Sequence, residues 1–418
     1  MNDRSPLERP RGTHDVVPAE MSRWQAVTGE IARLCGLYGY RPIQTPVFED
    51  TALFLRTSGA GSDVVQKEMY TFTDRSDRSL TLRPEGTAPI CRAYVEHGMH
   101  RDPQPVKLFT IAPMYRYGAP GRGRYREHWQ ASVEALGTDD PAIDAELIQL
   151  YDTLLARLGV TRYHLELNSI GCRTCRPAYL DALRAWLHAN GERLDEETRA
   201  KIAVSPLRVF DNYLAKPDHV RAALDDAPKI GESLCDACVA HFATVRAHLD
   251  ATGVGYRLVP TLVRGLDYYT RTTFEFIGPL ENQNSTITGG GRYDYLIEEI
   301  GGPPTPGIGF GAGIERLVIA LEEEGVDAPP APPLGVFVAV EEGAPRERIA
   351  GWLAELRRAG ISAETEYAGR SLKGQLTHAR RLGAARIAIV GPDTATIRTP
   401  GATDSAVAHE EIVSRLSP

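Results

Sequence analysis

The chain contains no run of about 18 or more apolar residues, so hydropathy gives no membrane-spanning helix. The opening residues Met1-Asn2-Asp3-Arg4 have no apolar core ahead of a cleavage site, so a cytoplasmic protein is expected. Positive charge is in deficit: 47 Lys and Arg against 55 Asp and Glu leave a net charge of −8. Such a chain does not grip nucleic acid through bulk charge, and any RNA contact must come from local basic patches. No internal repeat is present, which sets aside solenoids and propellers. What remains is ordinary globular composition, 42% hydrophobic and 24% charged. At 418 residues the chain is long enough for two or three separate cores.

Cysteine is scarce, but four of the six fall in two Cys-x-x-Cys pairs, Cys172/Cys175 and Cys235/Cys238. In a reducing compartment that spacing suits a structural zinc ion held by four thiolates, with unligated thiols and disulfides as the alternatives. His241 is not needed as a ligand. Cys35 and Cys91 sit in apolar helical patterns and read as core residues.

Trp24, Val27, Ile31 and Leu34 recur at helical spacing after Pro18, with an end near Gly36 to Gly39. A short extended piece with Ile43, Pro46 and Val47 follows. Residues 69–73, 80–83, 107–116 and 126–136 read as strands, and 87–97 as a helix. Strands following one another through loops favour an antiparallel sheet. Asp140-Pro141 opens a helix with Ile143, Leu147, Leu150, Leu154 and Leu158 on one face, closed by Gly159. After a strand at 163–168, a polar, Ala-rich helical region is bracketed by the cysteine pairs and reads as an insertion, about 172–250. Strands resume at Tyr256 and run through Phe276. Ser285 to Thr288 leads into Gly289-Gly290-Gly291, and a strand at 307–310 feeds a helix carrying Ile314, Leu317, Val318 and Leu321. Consecutive prolines in Asp327-Ala328-Pro329-Pro330-Ala331-Pro332-Pro333 make a stiff linker over 328–333. Beyond it, strands at 336–340, 362–367 and 386–390 alternate with helices at 346–358 and 372–382, a compact α/β domain with a mixed or parallel sheet.

Three arginines stand in contexts suited to a phosphate. They are Arg116 in Pro113-Met114-Tyr115-Arg116, Arg316 in Gly311-Ala312-Gly313-Ile314-Glu315-Arg316-Leu317, and Arg264 in Leu262-Val263-Arg264-Gly265-Leu266-Asp267-Tyr268-Tyr269-Thr270-Arg271. Singly, each could as well face solvent. Together with Arg11-Gly12-Thr13-His14-Asp15 and Leu82-Arg83-Pro84-Glu85-Gly86-Thr87, they make the chain resemble the histidyl-tRNA synthetases, of class II, over essentially its whole length. The resemblance implies an α+β fold: an antiparallel-sheet catalytic domain over 1–327 with the helical insertion, then a smaller anticodon-binding α/β domain over 334–418. It implies ATP-dependent activation of L-histidine and its transfer to the 3′ end of tRNA(His), with Mg²⁺ accompanying ATP, in a homodimer whose interface is built by 38–49.

In that family's terms, 109–134 is a strand-loop-strand hairpin whose Arg116 holds the α-phosphate. Arg316, in 307–321, holds the γ-phosphate side of a bent ATP, Arg124 belongs to the same ATP site, and Arg264, on an active-site strand, stabilises the α-phosphate as pyrophosphate departs. Glu85, with Gly86, Thr87 and Gln130, holds the α-amino group of histidine. Glu134 and Tyr269, beside Tyr268, read the imidazole, and the glycine run before Arg292-Tyr293 brings backbone and Tyr293 near the ligand. The chemistry agrees, because an imidazole offers one donor and one acceptor, matched by a carboxylate and a tyrosine hydroxyl. A pocket of such buried partners rejects non-matching analogues by roughly 10⁴.

The hairpin loop Tyr117-Gly118-Ala119-Pro120-Gly121-Arg122-Gly123-Arg124 departs from the family, which usually has Glu, Arg and Gln where Gly118, Ala119 and Gly121 stand. In the family this loop meets the tRNA acceptor end and its extra 5′ guanosine. The expectation is a weaker dependence on that base, or its readout by Arg122 and Arg124. Trp129 is a smaller departure, read as packing. In the C-terminal domain Arg370, Lys373, His378, Arg380 and Arg381 make a local basic cluster suited to tRNA phosphates. A non-catalytic histidine-sensing paralogue that regulates ATP phosphoribosyltransferase is the rival reading; it usually lacks the anticodon domain and the arginine run, and this chain has both. A plain ATP- or RNA-binding module leaves the amino-acid pocket unexplained.

Overall fold

The computed structural model describes residues 6–57, 59, 62, 64–211, 213–279 and 286–417; Met1-Asn2-Asp3-Arg4 and Ser285 lie outside them. Two compact units, Met1–Pro329 and Pro330–Pro418, divide inside the proline run. Among the described residues no helix is long and apolar enough to cross a membrane.

In chain order the strands of the larger unit are β1 (Arg41–Pro42), β2 (Phe48–Asp50), β3 (Thr71–Thr73), β4 (Ser79–Leu82), β5 (Val106–Tyr115), β6 (Glu127–Leu136), β7 (His164–Ser169), β8 (Arg257–Leu258), β9 (Thr270–Ile277), β10 (Thr286–Arg292) and β11 (Gly307–Gly313). Eight of them form one sheet in the order β1-β5-β6-β11-β10-β9-β7-β8, and β2, β4 and β3 form a small second one. In the large sheet only the outermost pairs, β1 with β5 and β7 with β8, run parallel. The rest is antiparallel, in keeping with the α+β expectation.

Alternation along these strands makes two very different faces. Ala131, Val133 and Ala135 of β6, Ile308, Phe310 and Ala312 of β11, and Phe274 and Phe276 of β9 enter one core cluster. That cluster also takes Val27, Ile31 and Leu34 from the helix Pro18–Leu37, Leu147, Tyr151 and Leu154 from Pro141–Leu158, and Leu317 and Leu321 from Ile314–Glu324. The Asp140 side chain caps the second of these helices, accepting from the Ala142 amide at 2.9 Å, and Gly159 ends it with φ of 86°. The opposite face presents Gln130, Ser132 and Glu134 of β6, and from β11 it presents only Gly307, Gly309, Gly311 and Gly313. The glycines make room: a Cβ at Gly309 would collide with the Glu134 carboxylate, and one at Gly311 would lie 2.7 Å from the Gln130 amide.

The insertion is helical, with Arg176–Ala189, Glu196–Val204, Asp218–Asp226 and Asp236–Thr252 joined by short turns. One expectation fails. The run carrying Arg264 is not a strand, because β8 stops at Leu258 and regular pairing resumes only at Thr270. The carbonyls between them are satisfied by side chains instead of a ladder. Asn168 Nδ2 donates to Leu262 at 3.0 Å, Arg208 to Gly265 at 3.0 Å and Arg176 to Tyr269 at 2.6 Å.

The smaller unit has β12 (Val336–Val340), β13 (Ala363–Thr365), β14 (Arg386–Val390), β15 (Thr394–Arg398) and β16 (Ser405–Ala408) in the order β13-β12-β14-β15-β16. The first three run parallel, and β15 and β16 add an antiparallel edge that the sequence pattern had not suggested. Those two strands are built from Thr, Ala and Ser, and only Ala395, Ile397 and Val407 are buried.

Arg292, at the end of β10, is buried with no exposed side-chain surface. It donates to Asp144 at 2.8 Å, Asp294 at 3.1 Å and the Thr138 carbonyl at 2.6 Å, tying the sheet to the helix Pro141–Leu158. Burial pushes the Asp144 carboxyl up to about 6 despite Arg292 beside it. Removing the cation leaves that carboxyl buried and uncompensated, so Arg292→Met should destabilise the larger unit by about 3–5 kcal/mol. A urea midpoint unchanged from wild type would refute this.

Candidate active site

Above the glycine-lined face lies a cleft of about 400 Å³, lined among others by Glu85, Thr87, Arg116, Arg124, Gln130, Arg264, Tyr268, Tyr269 and Arg316. Residues scattered over more than half the sequence thus meet in one place.

One end is acidic. Glu85 precedes the helix Thr87–Glu96, and its carboxylate accepts from the first amides of that helix, Thr87 at 2.6 Å and Ala88 at 2.9 Å. The Thr87 hydroxyl donates onward to Glu134 at 2.7 Å, and Glu134 also accepts from the Tyr293 hydroxyl. Gly86 packs beneath, where a Cβ would meet the Ser132 hydroxyl, and Gln130 donates to that same hydroxyl at 2.9 Å. Glu134 is fully buried and Glu85 nearly so. Desolvation raises both carboxyls, Glu134 well above the ordinary range, and Glu85 adds to the effect on Glu134. Tyr268 stacks on Tyr269 with ring centres 4.6 Å apart and meets Tyr293 edge-on at 5.8 Å. The hydroxyl bonded to Glu134 is that of Tyr293; Tyr269, which the sequence paired with Glu134, stands beside Arg264, whose guanidinium lies 5.7 Å from its ring centre.

The other end is basic. Arg116, from the end of β5, donates to the Pro84 carbonyl at 2.7 Å. Arg316, in the first turn of Ile314–Glu324, donates to the Gly123 carbonyl at 3.0 Å and the Thr286 carbonyl at 2.5 Å. Arg124 pairs with Glu68 at 2.9 Å, and Arg264 pairs with Glu275 of β9 over Gly289, where any Cβ would strike the guanidinium. The crowding has a measurable sign. Burial lowers the Arg316 pKa first, and repulsion from Arg116, Arg124 and Arg264 lowers it further. Burial and two members of this cluster, Arg116 and Arg316, hold His128 neutral, its pKa lowered to about 3. Such a cluster is poised for a polyanion.

Among the acidic and histidine side chains of the cleft, Glu275, His128 and Glu68 escaped the sequence reading. Glu275 left a trace, as the lone acid of the strand Thr270–Ile277, set between Phe274 and Phe276. His128 and Glu68 left none.

Other expected residues lie elsewhere. Arg122 is exposed, pairing with Glu323 at 2.6 Å and Glu322 at 3.6 Å. In the smaller unit Arg370, Lys373, Arg380 and Arg381 are exposed on and beside the helix Leu372–Arg381, with Arg370 paired to Glu366 at 3.2 Å. Cys172, Cys175, Cys235 and Cys238 converge, all four sulfurs within 4.8 Å of one another. Sγ of Cys172 lies 3.8 Å from those of Cys175 and Cys235, and Cys175 lies 3.9 Å from Cys238. His241 instead faces Asp144 at 3.6 Å. Cys35 and Cys91 are buried as free thiols, as expected of core residues.

A sequence profile described as histidyl-tRNA synthetase matches residues 12–317. A histidine–tRNA ligase of Desulforudis audaxviator is 45% identical over 98% of this chain and 98% of its own length. That of Pelotomaculum thermopropionicum is 45% identical over 92% of this chain and 89% of its own. The solved apo histidyl-tRNA synthetase of S. aureus superposes with a TM-score of 0.82 at 33% identity, covering 98% of this chain and 100% of that one. With the profile spanning most of the larger unit and both relatives nearly the full length, the chain belongs to the histidyl-tRNA synthetase family.

Proposed function

We propose that the cleft binds L-histidine at its acidic end and ATP at its basic end, forms histidyl-adenylate between them, and passes the histidyl group to the 3′ end of tRNA(His). Family membership carries the activity, histidine–tRNA ligation, and with it the use of ATP and Mg²⁺. Nothing in the chain favours the regulatory paralogue. The observation that carries the site reading is that one cleft has buried carboxyls at one end, Glu85 in its wall with Glu134 beside it, and four guanidiniums at the other, three of which crowd Arg316.

Each end lacks what one substrate brings. The histidine ammonium and imidazole supply the positive and donor groups that Glu85 and Glu134 lack, with Thr87, Gln130, Tyr293 and the tyrosine pair completing the bonds. The histidine carboxylate is already the nucleophile, so the reaction asks for alignment and for charge stabilisation at phosphorus, with little acid–base work. Arg116 and Arg264 flank the place for the α-phosphate, Arg316 and Arg124 that for the rest of the triphosphate. The neutral His128 adds no competing positive charge. Arg264→Ala should cut histidine-dependent ATP–pyrophosphate exchange by about 10²–10³ while histidine binding stays within a few-fold. Undiminished exchange in that variant would overturn the catalytic role.

The smaller unit, with its exposed basic cluster, is assigned to the anticodon end of the tRNA, and residues 1–327 to the catalytic domain. The acceptor end falls to the altered loop, where Arg122 is held only by surface pairs that exchange readily for phosphate. With Gly118, Ala119 and Gly121 offering no side-chain donors, transcripts lacking the extra 5′ guanosine should be charged nearly as well as those carrying it. A loss of about a thousandfold, ~4 kcal/mol, would refute this. A cytoplasmic homodimer fits the rest: Val47, Phe48 and Phe72 expose an apolar patch on the small sheet, with the two phenylalanine rings 6.2 Å apart, suited to a second copy.

The four cysteines fit a structural zinc ion. Tetrahedral coordination with Zn–S of about 2.3 Å requires sulfur–sulfur edges of about 3.8 Å; three edges of the cluster, at 3.8, 3.8 and 3.9 Å, already have about that length, and all lie within 4.8 Å. The ion would fasten the start of the insertion to its last helix and take no part in the reaction. Metal analysis should find about one zinc per chain, and chelation should lower the melting temperature. Protein that is active and fully stable without zinc would end the assignment.

A further inference from the structure

Arg176 begins the first helix of the insertion, one residue after Cys175. Its backbone amide bonds to the Cys172 carbonyl at 3.0 Å, so it belongs to the cysteine loop itself. Its guanidinium points the other way, donating to the carbonyls of Tyr269 at 2.6 Å, Ile170 at 3.2 Å and Gly171 at 3.4 Å. Around it the two segments are stitched by backbone. Ile170 donates to Arg271 at 2.8 Å and Arg271 donates to Gly171 at 2.8 Å. Arg271 takes φ of 47°, a left-handed conformation that a non-glycine residue adopts at some cost and keeps only where its surroundings impose it. The strain sits between the cysteine loop and the tyrosine pair. A cavity of about 220 Å³ lies along the same seam, lined by Arg173, Arg176, Asp267, Tyr268 and Tyr295 among others.

We propose that Arg176 is a positioning residue that couples the four-cysteine cluster to Tyr268 and Tyr269, so that the integrity of the cluster sets the affinity for histidine. The segment from Val259 to Tyr269 has no ladder to hold it, and Arg176 fixes its last carbonyl immediately before β9 begins. A planar guanidinium reaches three carbonyls at once, which a lysine ammonium cannot do with the same geometry. Closing the cysteines around a metal fixes the loop, the loop fixes Arg176, and Arg176 fixes the backbone of the tyrosines. Of the arginines at the ATP end, Arg116, Arg124 and Arg316 come from the β5–β6 hairpin and the helix Ile314–Glu324; only Arg264 belongs to the segment held by Arg176, and it has its own anchor in Glu275 of β9.

The inference rests on the reading that the tyrosine pair lines the histidine pocket, and the test separates the two. Histidine binding to the full chain without ATP is measured by calorimetry, alongside the KM for ATP in pyrophosphate exchange. Arg176→Met should weaken histidine about tenfold or more, as expected for losing a charge-assisted hydrogen bond, with the KM for ATP within about twofold. Arg176→Lys should fall between that variant and wild type. Cys235→Ser, at the half-exposed member of the cluster, should weaken histidine binding on its own and add little further in Arg176→Met, the non-additivity that marks one coupled path. Unchanged histidine binding in Arg176→Met, equal losses for histidine and ATP, or full additivity with Cys235→Ser would each overturn the coupling. Should Arg176→Met fail to fold, Arg176→Lys against Cys235→Ser gives the same cycle. Tyr269→Phe tells the failures apart. If it binds histidine like wild type, the pocket reading falls and takes the coupling with it; if it binds weakly while Arg176→Met binds normally, only the coupling falls.

Discussion

The ladder between β6 and β11 is the constraint from which the catalytic unit follows. Gly309 lies opposite Glu134 and Gly313 opposite Gln130, while their neighbours Val133 and Phe310 face each other on the core side. A strand pair can send large apolar groups one way and polar groups the other only if the polar side is kept clear. β11 does this by having no side chain on that face. The result is a floor wide enough for a ligand, directly over the core cluster on the other face of the sheet. One methyl at Gly309 would occupy the space of the Glu134 carboxylate, so this position is fixed by the site at the same time as Phe310, next to it, is fixed by the core.

The charges follow from that floor. Glu134 is held where water does not reach it, bonded to Thr87 and Tyr293, and faces no cation. Arg316 is held beside Arg116, Arg124 and Arg264 although burial and their repulsion lower its pKa. Both arrangements cost stability in the empty protein, and both would be relieved by a ligand bringing positive charge to one end and negative charge to the other. Sites that oppose the folding of their own domain in this way are pre-organised for ligands of the missing charge. The stability that tolerates them comes from the apolar face below and from buried links such as Arg292 to Asp144, which join sheet and helix away from the cleft.

Much of this was legible in the sequence because it is local. Helical spacing after Pro18, Asp140-Pro141 with Gly159, and the proline run near 330 each depend on neighbouring residues, and each element stands where those residues put it. The motifs around Glu85, Gln130, Arg116 and Arg316 also gathered in one cleft. What escaped depends on distant partners. Leu262 and Val263 have strand character, yet the segment is irregular, because Asn168 and Arg208 supply the hydrogen bonds that a ladder would have supplied. Tyr293 reaches Glu134 across 159 positions of sequence, a partnership that no spacing rule contains. β15 and β16 were missed because Thr, Ala and Ser dominate them and their buried residues are too few to make a period.

The irregularity of that segment is itself informative. A regular strand alternates its side chains, and could not turn Arg264 toward the basic end of the cleft while presenting both Tyr268 and Tyr269, consecutive residues, to its wall. Releasing the segment from the ladder permits this, but leaves carbonyls that must be bonded elsewhere. Two of the three side chains that bond them, Arg176 and Arg208, come from the helical insertion, and the third, Asn168, from the strand that leads into it. The insertion therefore supports the segment that carries Tyr268 and Tyr269 from behind, and the cysteine cluster at its base brings together the two ends from which that support is built.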